Sequence, residues 1–207
     1  MPRRYRLGER AAQMDATRDR IVDAAIDLYA EVGISATTMR QIGRRADVAP
    51  GTLRNHFPSR EDLDRAIVER LTAEAPLPAL DIFDGARSID ARLGILIRAT
   101  GTFFDQAERI NRMWRRERML TSVWNETGAA YGARWNELMR LALGTLGDDP
   151  DALAILRAVL DPAFFDSVRA SARSTDEVCG LVTALVVPWF VAREARSGAA
   201  HGWDVSD

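Results

Sequence analysis

The chain contains no lysine, and all 28 of its basic residues are arginine. Its one cysteine, Cys179, leaves no partner for an internal disulfide, which points to a reducing compartment. The two histidines, His56 and His201, give no metal-ligand cluster, and no Gly-rich phosphate loop is present. Neither an enzyme nor a metal or other cofactor is expected. Long apolar runs are missing as well. The most apolar stretch, residues 178–192 (VCGLVTALVVPWFVA), is fifteen residues long with Pro188 inside. That is short of the roughly 20 residues a membrane-spanning helix needs, so it reads as a buried helix. The N-terminus, MPRRYRLGERAAQMD, is polar and lacks the apolar stretch of a secretory signal. A cytoplasmic protein with no membrane partner is the expectation. Strand-like alternation, internal repeats and low-complexity segments are absent too, which makes the fold class all-α.

What is present concentrates in residues 37–57, TTMRQIGRRADVAPGTLRNHF. A hydroxyl at Thr37 or Thr38 can accept from the free amides of a first helical turn. Met39, Ile42 and Ala46 then recur at helical spacing on one face, with Arg40, Arg44 and Arg45 on the other. Ala46-Asp47-Val48 makes a turn, and Val48 plugs the angle between two short helices. The second helix starts near Ala49, with Pro50 tolerated in its first turn, and Phe57 anchors the chain as it leaves. This is the layout of a helix-turn-helix, whose second helix enters the DNA major groove. Charge supports that reading. The net charge is −2, yet residues 1–60 carry eleven arginines against seven acids, and residues 61–207 carry seventeen against twenty-three. The positive end coincides with the helix-turn-helix, as attraction to phosphates requires.

From about Thr17 to Leu71 the sequence resembles the TetR family of transcriptional regulators. The match rests on an amphipathic first helix, TRDRIVDAAIDLYAEVG, closed by Gly33, then on the TTMRQIG entry and on GTLRNHFPSREDL, with Ser59 capping a fourth helix. Three departures from the family pattern stand out. Arg54 and Asn55 stand where an aromatic residue and a variable one are usual, Gly43 replaces the usual alanine, and Arg60 the usual lysine. Further on, DPAFFDSVRASARSTDEV looks like the C-terminal region of some members. The resemblance implies a three-helix N-terminal DNA-binding domain joined to a larger helical ligand-binding and dimerisation domain.

The expected organisation is a flexible basic arm at 1–14, a helix-turn-helix domain at 15–59 and an effector and dimerisation domain at 60–207, with helix 60–74 as connector. Helices are read at 17–32, 38–45, 49–55, 60–74, 88–106, 108–126, 129–146, 151–160 and 174–196, with a short turn near 162–170. Pro76 and Pro78 mark the approximate boundary between the two domains.

Thr52, Arg54 and Asn55 sit where side chains of a recognition helix meet base edges. A threonine methyl suits thymine, an asparagine amide pairs with adenine, and an arginine takes guanine or a phosphate. Arg40 can reach a base or the backbone, Arg44 either a phosphate or only solvent. Thr38, His56 and Arg60 are placed as phosphate contacts, and Gly51 lets the backbone approach closely. Arg3, Arg4, Arg6 and Arg10 suit an arm in the adjacent minor groove.

In the larger domain, three apolar stripes carry isolated polar groups. Phe103 and Phe104 flank Thr100; Met113, Trp114 and Trp124 flank Glu117; Trp135 and Met139 accompany Tyr131. Such stripes line small-molecule cavities, and they also serve as plain core. Val178, Leu181, Val182, Leu185 and Trp189 form a stripe too broad for a helix with one face in water, which suggests a dimer interface. The implied function is a homodimeric repressor released from a palindromic double-stranded operator by a small apolar or amphipathic effector. A helical small-molecule-binding protein with weakened or non-specific DNA binding is the alternative, motivated by Arg54 and Asn55.

Overall fold

The computed structural model describes residues 3–109, 122–170 and 173–201. Among the described residues there are nine α-helices, two 3-10 turns and no strand. The helices are α1 (Arg3–Val32), α2 (Met39–Arg45), α3 (Pro50–His56), α4 (Arg60–Glu74), α5 (Ile89–Gln106), α6 (Ser122–Leu143), α7 (Pro150–Val159), α8 (Pro162–Arg169) and α9 (Thr175–His201). The 3-10 turns are Leu80–Phe83 and Gly144–Leu146.

The chain divides into two compact units. The first comprises Met1–Glu74 and Glu108–Gly128, the second Ala75–Ala107 and Ala129–Asp207. Helix α4 belongs wholly to the first unit. The reason lies in its inward face: Leu63, Ala66, Ile67 and Leu71 are buried with Ile21, Val22, Ala25 and Ile26 of α1.

Two helices differ from the sequence expectation. Helix α1 begins at Arg3, so most of the expected flexible arm is helical. Residues 9–16, ERAAQMDA, are mostly strong helix formers, and the Thr17 hydroxyl donates to the Gln13 carbonyl at 2.9 Å rather than capping a new helix. The side chains of Arg3, Arg4, Arg6 and Arg10 lie outside the described residues. Helix α6 (Ser122–Leu143) runs unbroken through Gly128, where the sequence reading ends one helix at 126 and starts another at 129; residues 110–121 of the expected 108–126 helix lie outside the described residues.

Three backbone positions fix the chain path of the first unit. Gly33 closes α1 with a φ of 96°, a conformation glycine adopts without strain. Asp47, at φ 52°, makes the sharp corner between α2 and α3. Thr38 caps α2 in a reciprocal box. Its hydroxyl accepts from the Gln41 amide at 3.3 Å, while its own amide donates to Gln41 Oε1 at 2.8 Å.

In the second unit α5 packs along α9, and Phe83, Leu93, Leu96, Ile97, Leu138, Leu156, Phe165, Val182, Val186 and Phe190 form one core. Helix α9 continues through Pro188, and Thr175–Ser197 is long and apolar enough, by length and composition, to cross a membrane. The fifteen-residue limit drawn from the sequence therefore does not hold. One face of this helix, carrying Val178, Cys179, Val182, Val186 and Phe190, is buried in the core of its unit.

Candidate nucleic-acid interface

The α2–turn–α3 segment rests on an apolar floor. Ile42 and Leu53 are buried, and Phe57 caps α3 with its amide donating to the Leu53 carbonyl at 2.9 Å. The Arg18 guanidinium lies 4.8 Å from the centre of the Phe57 ring and covers it. Between α2, α3 and the start of α4 a cleft of about 650 Å³ opens. Met39, Val48, Pro50, Leu53 and Phe57 give it an apolar lining, and Arg40, Arg44, Arg54 and Arg60 surround them.

The arginines of the first unit fall into two groups. Arg45 is clasped by both oxygens of Glu31 at 2.9 and 2.7 Å. Arg65 pairs with Glu61 and Asp62, Arg70 with Asp19 and Asp23, and Arg109 with Asp27 and Glu74. Arg40, Arg44 and Arg54 are exposed and have no acidic partner among the described residues. Between Thr38 and Arg60 five arginines stand against one acid, Asp47. Three of the four cleft arginines thus lack an acidic partner among the described residues, while the fourth, Arg60, is paired with Asp64.

The structure brings four of the nine expected contact residues, Arg40, Arg44, Arg54 and Arg60, to one cleft. Gly51, Thr52 and Asn55 lie on the adjoining surface of α3, where Gly51 and Asn55 are exposed and Thr52 is partly buried. A Cβ on Gly51 would meet nothing within 4 Å, so the backbone is open there. His56 turns to a separate hollow of about 310 Å³ that it shares with Arg18, Asp62, Arg65 and Glu69. Thr38 stays exposed, but its hydroxyl also donates to Gln41 Oε1 at 2.7 Å and is committed to the cap.

Arg60 is engaged by groups of its own unit. Its guanidinium points inward: Nε donates to Asp64 at 3.1 Å, Nη1 to the Thr37 carbonyl at 2.7 Å and Nη2 to the Ile34 carbonyl at 2.8 Å. The sequence held a signal for this. Asp64 shares the apolar face of Leu63, Ile67 and Leu71, and a carboxylate there needs a partner.

Of the expected effector residues, Met113, Trp114 and Glu117 lie outside the described residues. Phe103 packs edge-on against Trp135, with ring centres 5.3 Å apart, and lies 6.0 Å from Tyr131. Phe104 meets Phe165 of α8 at 5.2 Å. Phe165, absent from the expected set, is thus part of this aromatic cluster; the Phe164-Phe165 pair on a short amphipathic helix is its signal in the sequence. Thr100 is buried, and its hydroxyl donates to the Leu96 carbonyl at 2.8 Å. Met139 is core. Burial raises the Tyr131 phenol above its ordinary range, so it stays protonated and able to donate. Trp124 belongs to the first unit, where its ring meets Tyr29 edge-on at 6.4 Å.

The expected dimer stripe splits in two. Val178 and Val182 are core residues of their own unit, because α9 turns that face to α5. Leu181 is 46% exposed and Leu185 65%. Trp189 is partly buried, edge-on to Phe190 at 4.9 Å.

Comparison with known proteins places these features. The family described as bacterial regulatory proteins, tetR family, matches residues 21–67. An uncharacterised HTH-type transcriptional regulator of Haemophilus influenzae is 33% identical over 128 residues, covering 59% of this chain and 60% of that protein. The HTH-type transcriptional repressor KstR of Rhodococcus jostii is 48% identical over 46 residues, or 22% of each chain. The matched stretches therefore span less than two thirds of either relative's length. A solved TetR-like transcriptional regulator from Rhodococcus superposes with a TM-score of 0.59 at 20% identity, over 82% of this chain and 92% of its own. At that identity the likeness speaks for the fold.

Proposed function

The chain belongs to the TetR family of bacterial regulatory proteins, and from that premise we propose that it is a sequence-specific DNA-binding regulator of transcription. The family is one of regulators, not enzymes. One observation carries the reading. Arg40, Arg44 and Arg54, with no acidic partner among the described residues, gather at the cleft formed by the helix-turn-helix. Phosphates would neutralise them on binding, and the counterions released from the duplex would drive association. Thr52, partly buried, and Asn55, exposed, both on α3, are the residues that read base edges in this scheme.

The finer reading is a cytoplasmic homodimeric repressor. Leu181 and Leu185 supply an exposed apolar face on α9 for a second copy. A twofold pair would set two recognition helices roughly 34 Å apart, one turn of duplex, and so select a palindromic operator. The aromatic cluster of Phe103, Phe104, Tyr131 and Trp135 is the proposed wall of a site for a small apolar or amphipathic effector. Such a molecule releases the operator only if it binds the two states with different affinity.

Selection of bound sequences from a random duplex pool, followed by affinity for the winner at two salt concentrations, tests the proposal. A palindromic motif, bound at least about a thousandfold more tightly than random DNA, is expected. A folded sample that enriches no sequence overturns it.

A further inference from the structure

Arg60 joins three parts of the first unit through one guanidinium. Asp64, on α4, is fully buried, and its carboxylate receives the Tyr29 hydroxyl at 2.5 Å and Arg60 Nε at 3.1 Å. A buried carboxylate is tolerated only with such partners. Burial, together with the Asp64 charge, pushes the Tyr29 phenol far above its ordinary range, so it remains a donor throughout. The guanidinium also stacks 4.7 Å from the centre of the Tyr29 ring. Its two remaining nitrogens donate to the Ile34 and Thr37 carbonyls.

Those carbonyls belong to the short connection between α1 and α2. Thr37 immediately precedes Thr38, the cap of α2, and its own hydroxyl donates back to the Gly33 carbonyl at 2.7 Å. The connection is therefore held from the α1 side by Thr37 and from the α4 side by Arg60. Helix α2, which starts there, carries Arg40 and Arg44 to the cleft. A lysine could not hold this arrangement. Its ammonium is a single point, whereas the fork of Arg60 meets a carboxylate and two carbonyls in three directions.

We infer that Arg60 is a positioning residue for operator recognition: through the Ile34 and Thr37 carbonyls it sets the start of α2, and it does not serve as a phosphate ligand. The inference rests on the DNA-binding reading above. Three of its five N–H donors are already directed to Asp64 and the two carbonyls, so a phosphate that pulled the guanidinium outward would do so at the expense of those bonds and of the partner of a buried charge.

The test compares Arg60→Lys, Arg60→Gln and Tyr29→Phe, each measured for affinity to the selected operator, salt dependence of that affinity and thermal stability. Tyr29 is fully buried and cannot touch DNA, and Tyr29→Phe removes one hydroxyl from an otherwise intact core. The expected result is at least tenfold weaker operator binding for Arg60→Lys, severalfold weaker binding for Tyr29→Phe, and a salt slope unchanged in all three. A phosphate ligand would behave otherwise: lysine would sustain binding, glutamine would reduce the slope by about 0.9, and Tyr29→Phe would bind as the parent does. That pattern overturns the inference. So does a lowered melting temperature with full affinity well below it, which marks Arg60 as a stability residue alone.

Hydrogen exchange in the free protein supplies an arm that needs no DNA. In Arg60→Lys and Tyr29→Phe the amides of Thr38 and Ile42 are expected to exchange at least tenfold faster, while that of Leu53 in α3 keeps its parental rate. Unchanged exchange at Thr38 and Ile42 overturns the positioning role. If the parent enriches no DNA sequence, the DNA-binding reading fails, and the exchange result still decides whether Arg60 holds α2.

Discussion

Arg193 of α9 grips the carboxylate that caps α7. Its Nε donates to Asp149 Oδ2 at 2.5 Å and its Nη2 to Oδ1 at 3.0 Å. The same carboxylate accepts the Asp151 and Ala152 amides at 3.0 and 3.2 Å, so one side chain starts one helix and ties down another.

This clasp predicts an acid-sensitive tie in the second unit. The Arg193 hydrogen bonds hold the Asp149 carboxyl at about 2, against an ordinary value of 3.8. A group whose pKa is depressed on folding contributes stability above its unfolded pKa and loses it as pH falls through the folded one. The contribution should be complete above about pH 4 and vanish as pH drops from 4 to 2. Melting temperature followed against pH in the parent and in Arg193→Gln should diverge above about pH 4 and converge toward pH 2. Curves that keep a constant separation across that range contradict the assignment.

Neighbouring arginines on α2 should differ sharply. Arg44 lines the cleft without an acidic partner among the described residues, while Arg45 is already neutralised by Glu31. Arg44→Ala is expected to lower the slope of log affinity against log salt by about 0.9, the change that accompanies one fewer neutralised phosphate. Arg45→Ala should leave slope and operator affinity close to parental, since an exposed ion pair contributes little. Equal effects would mean that pairing with Glu31 does not remove Arg45 from the DNA-facing set.

Gly43 is a site where added bulk should help. A Cβ there would lie 3.4 Å from Leu53 Cδ2 and 3.5 Å from the Val48 carbonyl oxygen, ordinary contact distances. The residue sits inside α2, where glycine costs roughly 0.5–1 kcal/mol relative to alanine. Gly43→Ala should therefore stabilise the first unit by about that amount in denaturant titration. Destabilisation would show that α2 and α3 have no room to accept a methyl group.

These cases indicate what the sequence could and could not say. The bounds of α4 were legible because Ser59 and Pro58 precede a clean helical pattern. The turn at Asp47 was legible because a polar break separates two short apolar repeats. Spacing could not tell which arginines keep their charge free, because Arg45, Arg70 and Arg109 each meet an acid of α1, a separate helix. Trp124 escapes the sequence for a similar reason: helical periodicity gives a face but not the partner that covers it, and here the partner is Tyr29. The broad stripe on α9 reads as one surface, yet only α5 determines that Val178 and Val182 turn inward while Leu181 and Leu185 do not.

At Gly101, by contrast, a methyl group has nowhere to go. Its Cβ would fall 2.5 Å from Cys179 Sγ and 2.9 Å from Thr175 Cγ2, so the α5–α9 contact depends on this glycine. Gly101→Ala should destabilise the second unit by about 1–3 kcal/mol, the usual cost of overpacking. Cys179→Ala removes the closer obstacle, and adding it to Gly101→Ala should recover part of the loss. Strict additivity of the two substitutions in urea unfolding would show that the thiol is not what Gly101 avoids.

The two sides of α9 give the sharpest test of self-association. Leu185 is 65% exposed and Val182 is 1% exposed, three residues apart on one helix. If the Leu181–Leu185 face meets a second copy, Leu185→Arg places a charge in an apolar interface and should shift sedimentation from dimer to monomer, with helix content retained. Val182→Ala should do the reverse. It leaves the dimer intact and lowers unfolding free energy by roughly 1–2 kcal/mol, because the methyl groups it removes come from the core of its own unit. A Leu185→Arg protein that sediments as the parent does would remove the α9 face from the dimer, and with it the twofold spacing on which a palindromic operator depends.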